Sequence, residues 1–298
     1  MILDGVFDLH VHSGPDIFPR LGDDLDFARA CVAAGMDGFA IKTHHESSVA
    51  RAHIVTRVVE GFTVVGGLTL NRYVGGFNAT AVDQALRFGA RVIWGPSGHA
   101  HYHEEITGEL GGWGKDEMRL GGRNDIEPIT ALASDSQLSD GAMEILALVR
   151  DHGALFCTSH LSPTEIRLLV EHATAIGARI LINHVFYFPR CNKDFVLEMA
   201  DAGAFIEVCA ALAFPHWGFT TYDQIADLLK DLNPRQCVIA SDCGGVHTPW
   251  PHEALSVYAD ELARRGTTQE QLGAMMRDVP KALAFGTDHC SDQSNSST

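Results

Sequence analysis

The sequence predicts an α/β fold, a single (β/α)8 TIM barrel with a long inserted loop after its fourth strand. Two observations carry that prediction. Short apolar runs rich in Val, Ile and Phe alternate with longer segments of helical period, the pattern of repeated βα units around a parallel sheet. Four helix ends then place a glycine just before the next run, at Ala34-Gly35, Phe88-Gly89, Ile176-Gly177 and Ala202-Gly203, each reading as a left-handed helix cap.

The strands are expected, in order, over Val6 to His12, Gly38 to Lys42, Phe62 to Leu70, Arg91 to Gly95, Ala154 to His160, Arg179 to His184, Ala204 to Cys209 and Gln236 to Asp242. Helix starts are also legible. Ser162-Pro163-Thr164-Glu165 combines an N-cap, a proline at the first helical position and a capping-box glutamate, so the strand before it must turn at once and leave His160 at its C-terminal tip. The connection over residues 96–139 is abnormal. It holds Gly108, Gly111, Gly112, Gly114, Gly121 and Gly122 together with His99, His101 and His103, where a barrel needs only a few residues. An insertion of this kind serves as a lid or substrate loop, with a flexible surface excursion as the plain alternative. Residues 1–290 read as one domain, and the polar residues 291–298 as a disordered tail.

Composition narrows the class. With 46% hydrophobic and 20% charged residues in 298, the chain has the profile of a soluble protein with a sizeable core. A formal net charge of -16 argues against nucleic acid or an anionic membrane as partner, because the field of the whole protein would repel them. A small-molecule substrate can still be anionic where basic residues gather, and a homo-oligomer is compatible with this reading. The seven cysteines form no C-x-x-C pair and lie mostly in apolar runs, so they read as buried thiols of a reducing compartment. Neither a secretory signal nor a membrane span is visible, and a cytoplasmic location is expected.

Chemistry concentrates at the strand ends. In Asp8-Leu9-His10-Val11-His12, regular alternation puts Asp8, His10 and His12 on one face of the first strand, which in a barrel is the interior. A lone H-x-H describes hydrogen-bonded surface histidines equally well. Ligand-type residues recur, however, at the same place on other strands: His160, His184 and Asp242 are each the first ionisable residue after an apolar run. Burying them separately would be costly, whereas one shared cation satisfies them together. A divalent metal is therefore expected, Zn2+ first, with Mn2+ or Fe2+ as alternatives.

This arrangement resembles the amidohydrolase superfamily. The resemblance implies an H-x-H on strand one, histidines on strands five and six and an aspartate on strand eight, which match His10, His12, His160, His184 and Asp242. It spans residues 1 to about 287, and Asp278-Val279-Pro280-Lys281-Ala282 is similar to the Asn-Pro-Ala-containing helix with which many members close, with Asn and Ala replaced. The chain departs from the pattern at the lysine. Binuclear members carry a carboxylated lysine on strand four, but here that strand ends Val92-Ile93-Trp94-Gly95-Pro96, and Lys42 instead closes strand two. Lys42 is read as a carboxylated ligand, as a cationic substrate contact or as a surface residue, so one ion or two stays open. His99, His101 and His103 could add a ligand or face solvent.

A metal-bound water of lowered pKa makes hydrolysis the natural reaction. Asp242 is suited to orient that water and take its proton, a dual role that the resemblance also implies, and its plainer alternative is a ligand or histidine partner only. Lys42 is counted with Asp242 among the catalytic residues. Arg20, Arg72 and Arg190 follow strands one, three and six and are expected on the catalytic rim, where guanidinium groups suit a carboxylate. Surface salt bridges are the bland account. His44 is in phase with Lys42, and Trp94, Tyr187, Phe214 and Trp217 could wall an apolar pocket or simply pack in the core. The reading is hydrolysis of an amide, cyclic amide or lactone in a small carboxylated molecule. Its rivals are a metal-dependent non-oxidative decarboxylase, a phosphoesterase and a non-catalytic metal-binding barrel.

Overall fold

The apolar runs form eight parallel strands: β1 (Phe7–Val11), β2 (Gly38–Ile41), β3 (Thr63–Thr69), β4 (Val92–Trp94), β5 (Leu155–Cys157), β6 (Arg179–Ile182), β7 (Phe205–Cys209) and β8 (Cys237–Ala240). The computed structural model describes residues 3–113, 127–188 and 190–286. Each strand pairs with its neighbour in chain order. The ring closes where the Asp242 amide donates to the His10 carbonyl (3.0 Å) and the His12 amide to the Cys243 carbonyl (2.8 Å). The chain thus folds as a (β/α)8 barrel, and the four expected helix-end glycines, Gly35, Gly89, Gly177 and Gly203, all have positive φ.

Alternation along the strands splits the core into two layers. Ala40, Val92, Trp94, Leu155, Cys157, Leu181, Val238 and Ala240 fill the barrel. Phe39, Ile41, Ile93, Phe156, Ile180, Ile206, Val208 and Ile239 pack outwards against the helices. The helix Val279–Phe285 plugs the lower end, with Val279, Leu283 and Ala284 joining the inner layer and Phe285 meeting Phe7 edge to face at 5.3 Å.

The first strand breaks the alternation. Asp8 registers with Phe39 but Val11 with Ile41, so three steps on β1 oppose two on β2, a β-bulge around Leu9 and His10. Phe7 and Leu9 share the inner layer by ordinary alternation, and the bulge changes the phase only beyond them. Asp8 does not share a face with His10 and His12, as strict alternation predicts. It turns to the layer of Phe39, where its Oδ1 accepts from the His10 and Ser241 amides at 3.1 and 3.0 Å. The extra residue re-aims His10 inwards, two residues from His12.

The insertion after β4 carries structure of its own: a helix, His101–Thr107, and a short antiparallel hairpin, Leu132–Ser134 with Gln137–Leu138. Residues 114–126 and the 291–298 tail lie outside the described residues. The six described cysteines are buried and free, and no helix among the described residues is long and apolar enough to cross a membrane.

Candidate metal centre

Most of the strands end one to three residues earlier than their apolar runs suggest, and the ionisable residues occupy the turns just beyond. Lys42 follows β2 directly, His160 lies three residues past β5, and His184 and Asp242 two residues past β6 and β8. These turns are tight. Ser159, His184 and Asp242 have φ of 49, 32 and 52°, a left-handed region that non-glycine residues seldom occupy and that concentrates at functional sites. Gly244 (φ 136°) is required by the same turn, because a Cβ there would sit 1.8 Å from the His12 carbonyl.

The hydrogen bonds at the far side of each ring decide what faces the centre. His10 Nδ1 lies 2.9 Å from Glu207 Oε1, and His12 Nδ1 lies 2.9 Å from the Lys42 carbonyl. Both partners can only accept, so each ring's Nδ1 donates, and a neutral ring leaves Nε2 bare. The two Nε2 atoms each approach Asp242 Oδ1 at 3.1 Å. Burial lowers His12 to about 4, so it is neutral at pH 7. Burial alone would raise Asp242, but His10 and His12 outweigh it and hold the carboxyl far below the usual range. Three potential ligand atoms from separate elements thus converge on one point.

The neighbouring residues complete the picture. Lys42 Nζ is buried 3.0 Å from His10 Nε2, and burial lowers its pKa against the opposing pull of Asp242 and Glu207. His184 Nε2 is buried and lacks a hydrogen-bond partner among the described residues. The His184 ring lies 5.0 Å from that of His160 and 5.8 Å from that of His10. Burial, reinforced by nearby positive groups, pushes His184 down to about 3 and His160 and His44 well below the usual histidine value. Neutral imidazoles with a carboxylate are the donor set of a borderline divalent ion. Cys209, whose thiol donates to Glu207 Oε1 at 2.9 Å, also brings a ligand atom close to His10 and Asp242.

A cavity of about 80 Å³ opens above these residues, and Arg20, His44, Trp113, Tyr187 and Trp217 line it. Arg20 is held by Asp16, its Nε and Nη2 donating to Oδ2 at 3.0 and 2.6 Å. The His44 ring stacks on His12 at 4.8 Å and its Nδ1 meets Ser97 Oγ at 2.9 Å. Arg72, Arg190 and Trp94 stand elsewhere. Arg72 donates to the Glu127 and Pro128 carbonyls and so pins the insertion. Arg190 is 61% exposed and pairs with Glu105, while Trp94 is wholly buried in the inner barrel layer. Phe214 packs against the outer layer. Of the insertion's histidines, only His103 reaches the centre, 2.8 Å from His160, whereas His99 sits against the Arg72 amide and Tyr73.

Sequence reasoning missed Glu207. It is fully buried inside β7 and accepts from His10 Nδ1, Asn183 Nδ2 (2.8 Å), the His184 amide (3.2 Å) and the Cys209 thiol. Burial would raise it, but the proximity of His10 and His184 and the hydrogen bonds from His10 and Cys209 outweigh it and hold it at about 2. A single carboxylate within the apolar run Phe205-Ile206-Glu207-Val208 was the available signal. Trp113, seated among Phe18, His44 and His103 at 5.1 to 5.5 Å, was also not anticipated.

The same barrel recurs in solved structures. An amidohydrolase from Pseudomonas aeruginosa superposes with a TM-score of 0.63 at 12% identity, covering 95% of this chain and 97% of that one. The organophosphorus hydrolase from Deinococcus radiodurans gives 0.57 at 17%, covering 94% and 92%. The phosphotriesterase homology protein from Escherichia coli, complexed with phosphate in its active site, gives 0.56 at 14%, covering 94% and 99%. At these identities the likeness establishes the shared fold. No curated protein matches the chain. A family model matches residues 5–207, and the chain belongs to that family, the Family of unknown function (DUF6282).

Proposed function

We propose that this chain is a metal-dependent hydrolase that cleaves an amide, cyclic amide or lactone bond in a small carboxylated molecule. The observation that carries the reading is the approach of His10 Nε2 and His12 Nε2, whose Nδ1 atoms are engaged by Glu207 and the Lys42 carbonyl, to Asp242 Oδ1 at 3.1 Å. Such a cluster of potential ligand atoms is costly without a cation. His10, His12 and Asp242 would hold one divalent ion, zinc in the first instance, with His160 and His184 facing it and Lys42, buried with its pKa lowered, available as a carbamate ligand. The ion would supply a Lewis acid and a water of lowered pKa. Asp242, ionised at neutral pH, takes the proton of the attacking water and returns it to the leaving group. Arg20, fixed by Asp16, offers its free donors to the substrate carboxylate, while Phe18 and Trp113 limit the access of bulk water. The buried free thiols fit a reducing, cytoplasmic setting.

A phosphoesterase is the second reading, favoured by the phosphate in the active site of the Escherichia coli neighbour. Protein purified without chelator is analysed for metal and presented with carboxylated lactones, cyclic amides and linear amides beside phosphoesters. The expected result is bound metal, turnover of the first group that chelation abolishes, and a loss of about 10²-fold or more in Asp242→Asn. Metal below about 0.2 equivalents with no uptake on reconstitution would overturn the proposal. Turnover of phosphoesters alone would replace it with the second reading.

A further inference from the structure

We propose that His103, from the insertion, is a positioning residue that keeps the single proton of His160 on Nδ1 and so leaves His160 Nε2 bare towards the cavity. Two contacts of His103 fix the tautomer. His103 Nε2 lies 2.7 Å from the Gly112 carbonyl, which can only accept, so the His103 proton is on Nε2. His103 Nδ1 lies 2.8 Å from His160 Nδ1, and two ring nitrogens at that distance share one proton. A neutral imidazole has one proton to give, and that of His103 is committed to Gly112. The shared proton therefore belongs to His160.

The two rings stack at 4.9 Å with 25° between their planes, and His103 is fully buried. The arrangement completes a pattern. Glu207 holds the Nδ1 proton of His10 and the Lys42 carbonyl that of His12. For His160 the acceptor comes from outside the barrel repeat, which gives the insertion a defined chemical task. Gly112 precedes Trp113, so one short segment both fixes His103 and lines the cavity.

The inference rests on the metal reading only for its consequence, because the tautomer itself is measurable without metal. Long-range 1H–15N correlation spectra of chelated protein, with His160 assigned by its loss in His160→Gln, are expected to show the proton on Nδ1. In His103→Ala that preference should give way to a mixture with Nε2–H. Zinc affinity, measured by competition with a chromogenic chelator, should fall about 10- to 100-fold. His103→Asn, whose amide oxygen can replace the Nδ1 acceptor, should restore it to within a few fold. A proton on His160 Nε2 in the wild-type protein would overturn the inference, as would an unchanged spectrum and zinc affinity in His103→Ala. Should zinc fail to bind at all while the spectrum shows Nδ1–H, the metal reading fails and the positioning stands. If His103→Ala does not fold, the wild-type spectrum and His103→Asn decide.

Discussion

Replacing Glu207 by glutamine changes one atom of a fully buried side chain and removes its charge. The amide oxygen can still accept from His10 Nδ1 and the His184 amide, but the new NH2 then faces Asn183 Nδ2 at about the present 2.8 Å. Asn183 cannot turn over to help, since its Oδ1 holds the Ser159 amide at 3.0 Å. Donor meets donor in a fully buried site, a mismatch of about 1 to 3 kcal/mol. Linkage gives a similar figure. A carboxyl lowered from 4.5 to about 2 in the folded state corresponds to about 3 kcal/mol of stability at neutral pH. Because the folded value is the depressed one, that stability is complete above pH 4.5 and drains away as pH falls towards 2. Glu207→Gln should therefore melt about 2 to 5 °C below wild type between pH 5 and 8, both proteins being chelated so that metal does not contribute. The gap should close on acidification below 4.5. Melting within about 1 °C of wild type at pH 7 would refute the reasoning, because it would mean the four hydrogen bonds do not require the charge.

Two further outcomes test the remaining groups. Lys42→Ala should lower metal content, with partial recovery of activity on adding a short carboxylic acid; full metal occupancy with only KM altered would instead make Lys42 a cationic substrate contact. Arg20→Ala should leave metal content intact and raise KM for carboxylated substrates about 10- to 100-fold, with uncharged analogues unaffected. Equal effects on both substrate types would remove Arg20 from carboxylate recognition.

Much of this architecture was legible in the chain because it is encoded locally. An apolar run followed by a segment of helical period repeats eight times, four of the helices ending on a glycine cap, and each repeat commits only its own residues. Since every βα unit points the same way, residues that follow apolar runs, such as His160, His184 and Asp242, must gather at one end of whatever barrel forms. Features that depend on a partner distant in sequence were invisible. The bulge that turns His10 inwards arises from the pairing of β1 with β2, and periodicity within Asp8-Leu9-His10 gives no sign of it. Arg72 and Arg190 look like Arg20 along the chain, yet only Arg20 faces the cavity, because backbone carbonyls of the insertion and Glu105 engage the other two. Glu207 and His103 gain their meaning from His10, 197 positions away, and His160, 57 positions away. An imidazole's bare nitrogen is set by whatever touches its other nitrogen, and that neighbour exists only once the barrel has closed.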